Sequence, residues 1–131
     1  MSKHFYPAVF TKESTGYSVS FPDLEGCFTE GDTLEEAYDM SRDAIGLFLL
    51  GENSRFNFPV PRNPKDIRTA ENEFVILVEF DELEYRKRHE TRSVKKTLTI
   101  PSWLNTLAEE KNINFSNTLQ NALMRELHID R

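Results

Sequence analysis

The stretch from residue 94 to 131 constrains this chain most, because it holds too little apolar material to fold alone. Val94-Lys95-Lys96-Thr97-Leu98-Thr99-Ile100 reads as one strand and Pro101 ends it. A helix follows over about residues 102 to 111, then a turn at Asn112-Ile113-Asn114, then a second helix over about 116 to 127 with Ser116 as its cap. Leu104, Leu107 and Ala108 recur at helical spacing in the first helix, as do Leu119, Ala122, Leu123 and Leu127 in the second. A single strand has two unsatisfied edges, and with two short helices it buries too little surface to be stable. The economical solution is a homodimer in which two such strands pair antiparallel over four helices.

The two sides of that strand differ. Leu98 and Ile100 fall on one face, Lys95, Thr97 and Thr99 on the other. A two-stranded ribbon fits the DNA major groove, and basic and hydroxyl side chains displayed on it can hydrogen-bond to base edges. Lys96 joins them as a candidate DNA contact, and the backbone amides near Ser116 and Asn117 can face a phosphate from the second helix's N-terminus. KKTLTIP, the amphipathic helix after it and NFSNTLQNAL resemble the ribbon-helix-helix family over residues 94 to 129. That resemblance implies a dimeric DNA-binding module. Pro101 stands where many relatives keep a polar strand residue, which shortens the readable ribbon and adds weight to Lys95, Thr97 and Thr99.

Upstream lies a different pattern. With 131 residues, 38% of them hydrophobic and 11% aromatic, the chain has room for a small folded domain besides its tail. Val9-Phe10 leads through a polar turn at residues 11 to 16 into Tyr17-Ser18-Val19-Ser20-Phe21, whose strict alternation predicts a half-buried strand and hence a hairpin. Pro7 cannot donate to a ladder, so the first strand either begins after it or lies at a sheet edge. Residues 22 to 26 read as a turn and 27 to 30 as a third strand ending at Gly31-Asp32. Thr33-Leu34-Glu35-Glu36 has the form of a capping box. The helix it opens runs to about Leu50, with Leu34, Ala37, Tyr38, Ser41, Ala44, Ile45 and Phe48 as its apolar stripe and Gly51 as its stop. Residues 52 to 73, with Pro59, Pro61 and Pro64, read as a connection without regular structure, and 74 to 80 as a strand largely covered on both faces.

The expected class is therefore α+β: a βββαβ domain over residues 1 to 81, a charged linker over 82 to 93 with room for some helix, and the strand-helix-helix module over 94 to 131. Charge follows a similar division. Residues 1 to 85 carry 7 Lys/Arg against 17 Asp/Glu, a net of -10, and residues 86 to 131 carry 9 against 5, a net of +4. An acidic lobe suits a basic protein partner and repels nucleic acid, whereas a basic segment can supply phosphate contacts.

Several functions are disfavoured. No signal-peptide pattern or membrane-length apolar run is present, so a cytoplasmic protein without membrane contact is expected. Cys27 has no cysteine to pair with and no ligand at zinc spacing, and reads as a small buried residue. No phosphate-binding glycine loop or nucleophile elbow occurs, and no metal or cofactor is expected. His4, His89 and His128 fall at a terminus, in the charged linker and at a helix end, none paired with an acid or nucleophile. Asp23, Glu25, Glu30 and Asp32 cluster in sequence as a two-metal nuclease needs, but acidic residues are also common in turns.

The segment YPAVFTKESTGYSVSFPDLEGCFTEGDTLEEAYDMSRDAIGLFL resembles the HicB antitoxin domain, a reduced RNase-H-like βββαβ unit, most densely at GYSVSFPDLEGC and TEGDTLEEA. Glu25 stands where relatives often carry proline. Membership implies an antitoxin, not an enzyme. Such a protein binds a HicA-like toxin, a small ribonuclease with a double-stranded-RNA-binding-domain-like fold and a catalytic histidine, and blocks its RNA-facing surface. Asp23, Leu24, Glu25, Glu30 and Asp32 are the candidate toxin contacts, and the tail implies repression of the protein's own operon at an operator. Two rivals remain: a stand-alone regulator whose first domain senses something else, and a metal-dependent RNase-H-like nuclease.

Overall fold

The computed structural model describes residues 3–51 and 58–129, which divide into two compact units, residues 1–92 and 93–131. In the first unit, β1 (Lys3–Lys12), β2 (Tyr17–Ser20) and β3 (Phe28–Gly31) precede helix α1 (Leu34–Leu50), and β4 (Glu73–Asp81) and α2 (Glu82–His89) follow it. The βββαβ order is the one expected, with α2 added. All strand pairs are antiparallel, in the order β3-β2-β1-β4.

Local chemistry sets these elements. Lys12 pairs with Tyr17 across a turn in which the Glu13 N–H donates to the Gly16 carbonyl at 3.0 Å. Gly16 has φ +77°, and a Cβ there would overlap the Gly31 carbonyl, so glycine is required twice over. The first strand does not begin after Pro7 but runs through it. Pro7 pairs with Leu77 of β4 and lies two residues beyond Val9↔Ser20, the last β1–β2 pair, so its missing N–H falls where β1 is locally an edge.

One face of the sheet carries Tyr6, Ala8, Phe10, Val19, Phe21, Val78 and Phe80, and α1 covers it with Ala37, Ile45 and Leu49. Each large aliphatic side chain buried there contributes about 1.5–3 kcal/mol. The stripe predicted for α1 is rotated slightly at its ends. Leu34 and Phe48 are exposed and Leu49 is buried instead. Thr33 caps the helix, accepting from the Glu36 N–H at 3.1 Å, and the buried Ser41 hydroxyl donates to the Ala37 carbonyl at 2.7 Å. The Tyr38 hydroxyl accepts from the Glu79 N–H at 3.3 Å, covering part of β4's outer edge.

The connection after α1 is not wholly irregular, although its residues 52 to 57 lie outside the described residues. Pro64–Asp66 makes one 3₁₀ turn capped by Asn63. The charged stretch expected as linker is also largely ordered. Asp81 caps α2, and the Tyr85 ring lies so close to Gly46 of α1 that any Cβ there would overlap it. Two histidines join this region: His4 lies between the rings of Phe58 and Phe80 with Nε2 3.6 Å from the Glu82 carboxylate, and His89 stacks on Tyr85 at 4.1 Å. The expectation that no histidine meets an acid therefore fails at His4, because α2 returns to the start of β1.

The second unit contains α3 (Ser102–Glu110) and α4 (Phe115–Glu126). Both end with a left-handed residue, Asn112 (φ 54°) and His128 (φ 56°). The N–H groups of Ile113 and Ile129 donate back to the carbonyls of Ala108 and Met124, the Schellman arrangement. The predicted strand over 94 to 100 is absent: residues 90 to 101 have no regular secondary structure and all are exposed. The alternation is right for a strand, but a ladder needs a partner and this unit offers none.

Candidate functional site

The five expected partner contacts do not share one surface. Asp23, in the β2–β3 turn, has its side chain only 7% exposed and is held by Arg62, which donates from Nε at 2.8 Å and from its backbone N–H at 3.2 Å. The same guanidinium donates to the Pro22 carbonyl at 3.3 Å. Asp23 is thus an anchor for the returning connection rather than a free carboxylate. Leu24 is a core residue, 1% exposed, and has no surface to offer a partner. Glu25 is exposed beside Gly26. Glu30 and Asp32 do come together, in a groove shared with Glu13, Tyr17, Glu36 and Met40 between the β1–β2 turn and the first turns of α1. Among the described residues, no three His, Cys, Asp or Glu side chains are grouped to hold an ion. With Asp23 committed to Arg62, the convergent carboxylates of a two-metal nuclease are not assembled.

Two buried groups beneath this turn are chemically quiet. The Tyr6 hydroxyl donates to the Pro59 carbonyl at 2.8 Å, and burial, aided by the Asp23 charge, raises its pKa. Burial pushes the Cys27 thiol up to about 11, which suppresses the reactive thiolate. It donates to the Ala44 carbonyl at 3.5 Å.

Sequence reasoning missed the sheet face opposite α1. Phe5, Val9, Phe28, Val75 and Leu77 share it by strand register, and Phe28 is 71% exposed. The run over 74 to 80 is therefore not covered on both faces: Val78 and Phe80 are buried, whereas Leu77 is 48% exposed. A signal was available, since β1 places large apolar groups at odd positions (Phe5, Pro7, Val9) as well as even ones (Tyr6, Ala8, Phe10).

In the second unit, Lys95, Lys96, Thr97 and Thr99 are all exposed within the irregular segment. Ser116 and Asn117 lie in the first turn of α4, but the cap is Asn114 rather than Ser116, its side chain accepting from the Asn117 N–H at 3.0 Å. That amide is accordingly taken, and Phe115 and Ser116 carry the first-turn amides that neither this cap nor the helix ladder uses. The charge division also shifts. Residues 1–92 hold 11 Lys/Arg against 18 Asp/Glu, a net of -7, and residues 93–131 hold 5 against 4, a net of +1. Arg86 and Lys87, counted with the basic half in the sequence, belong to α2 and are paired with Glu82, Glu90 and Glu84.

The fold is thus an acidic sheet-and-helix unit with Phe28, Leu77 and Phe5 exposed on its sheet, followed by a two-helix unit with no buried residue in either helix. The model of the HicB-like antitoxin of bacterial toxin-antitoxin systems matches residues 6–123, and the chain belongs to this family. It is 48% identical over 46 residues to Antitoxin HicB 2 of Photorhabdus laumondii subsp. laumondii, a match spanning 34% of this chain and 33% of that protein. The chain thus matches only about a third of the length of the curated relatives. A toxin-antitoxin complex from Streptococcus pneumoniae contains a chain of similar fold, with TM-score 0.58, 28% identity, and coverage of 95% of this chain and 99% of that one. A HicA3 and HicB3 toxin-antitoxin complex contains another, with TM-score 0.50, 28% identity, and coverage of 60% and 99%. Among the described residues no helix is long and apolar enough to cross a membrane.

Proposed function

We propose that the chain neutralises a HicA-like, mRNA-cleaving toxin by direct binding through residues 1–92, and represses its own operon through residues 93–131 acting as a homodimer on operator DNA. The observation that carries the reading is the state of the second unit. Neither α3 nor α4 has a buried residue, and Leu98, Ile100, Trp103, Leu104, Leu107, Leu123 and Leu127 are exposed beside an unpaired backbone segment. A second copy supplies what is missing. Pairing of the two 94-to-100 segments satisfies their backbone, buries Leu98 and Ile100 against the helices, and turns Lys95, Thr97 and Thr99 outward on a ribbon of major-groove width. For the first unit, family membership and the toxin-antitoxin complexes of its structural relatives support a toxin partner. A surface that faces RNA phosphates carries positive charge, and a net of -7 over residues 1–92 complements such a surface.

The test has two arms. In cells, co-expression with the product of the adjacent reading frame should restore growth that this product alone arrests. On duplex DNA from upstream of the gene, Thr97→Ala and Thr99→Ala should each lose about 1–3 kcal/mol of discrimination at one base pair, and Lys95→Ala should weaken binding across sequences and lower the salt slope by about one. Unchanged DNA binding by all three variants would remove the ribbon, and absence of rescue would remove the antitoxin role.

A further inference from the structure

An antiparallel sheet with a helix on one face ordinarily turns polar residues to water on the other. This sheet does not. Opposite α1, strand register sets Phe28, Ser20, Val9 and Val75 in one row across all four strands, with Pro7 and Leu77 in the next. Phe5 and Glu79 make the row beyond. Phe28, Leu77 and Phe5 are 71%, 48% and 44% exposed, whereas Pro7 and Val9 between them are buried. The row on the other side is polar: Glu30, Ser18, Thr11 and Glu73. The exposed apolar groups thus stand in two places on regular strands, Phe28 on β3 and Phe5 with Leu77 on β1 and β4, with the buried Pro7 and Val9 between them and Glu30, Glu73 and the Lys3-paired Glu79 at the margins.

We propose that this face is where the toxin docks, an inference that rests on the antitoxin reading above. Aromatic and aliphatic anchors inside a polar rim are the composition of an interface centre, where few residues hold most of the binding energy. Charge selects the occupant. A second copy docked on this face would bring one net charge of -7 against another, whereas a basic protein meets the opposite sign. Glu30 also borders the groove that holds Glu13, Asp32 and Glu36, so negative potential extends from the apolar patch around the β3 edge and steers a cationic partner onto it.

The experiment titrates the full-length protein, Phe28→Ser, Leu77→Lys and the α1 control Glu35→Gln/Asp39→Asn against the purified product of the adjacent reading frame, by calorimetry. Growth rescue, thermal unfolding and sedimentation are measured in parallel. The two face variants should bind at least about a hundredfold more weakly and fail to rescue, with melting temperature and mass unchanged, while the control binds as the parent does. Phe28 is so exposed that its replacement tests the surface even if Leu77→Lys disturbs the strand. Parent-like binding by the face variants would overturn the proposal, and so would a halved mass, which would make the face a self-interface. Failure of the unchanged protein to bind would remove the antitoxin reading and this surface with it.

Discussion

At the scale of single residues, Asp23 and Cys27 show how position overrides type. Arg62→Ala leaves the nearly buried Asp23 carboxylate with only a backbone donor, so it should lower stability by about 1–3 kcal/mol in denaturant titrations, whereas Glu25→Ala should stay within about 0.5 kcal/mol. Cys27 gives a pH dependence. Its folded pKa of about 11 lies above the ordinary 9.0, so the unfolded chain loses its thiol proton first as pH rises. This contribution is fully present below pH 9 and is lost between 9 and 11, by roughly 2–3 kcal/mol, a loss that Cys27→Ala should abolish. Cys27 was legible from type alone, because an unpaired cysteine is usually a small buried residue. Asp23 was not: Arg62 lies 39 residues further on, in a proline-rich connection whose sequence carries no period linking it to the turn.

At the scale of elements, the sequence displayed what local periodicity and capping encode. The βββαβ order, α1 with its Thr33 cap, and the two tail helices follow from spacing and composition. Helix α2 was obscured because it has almost no apolar stripe, only Leu83 and Tyr85 among charges, and is held by its packing on α1. Gly46→Ala makes that packing measurable. Helix propensity alone would reward the change by about 1 kcal/mol, yet the added Cβ must displace Tyr85, so a net loss of about 1–3 kcal/mol is expected. Combining it with Tyr85→Ala should remove the clash, and a double-mutant cycle in denaturant should give a coupling of about 1 kcal/mol or more. The segment over 94 to 100 marks the other boundary of legibility: its alternation is real, but a strand exists only where a second backbone receives its hydrogen bonds.

At the scale of the molecule, the two units draw stability from different sources. The first has its own core, so a chain ending at residue 92 should unfold cooperatively at a temperature independent of concentration and still protect cells from the toxin. The second has no buried residue in its helices, and if it takes its core from a copy as proposed, a separate transition in the full chain should move upward with protein concentration. Calorimetric scans over a hundredfold dilution series check both, and a concentration-independent second transition would count against a dimeric tail.

Residues 90 to 101, exposed and without regular structure, have a consequence for the protein's lifetime. Exposed irregular backbone is where proteolytic nicking concentrates, and this stretch joins the two units. Pairing of residues 94 to 100 in the proposed dimer would shield all but its first residues, so the monomer is the vulnerable form. One cut would leave the acidic unit with its sheet and core intact while separating it from the tail. On the proposed division of labour, such a cut would end repression and leave neutralisation standing.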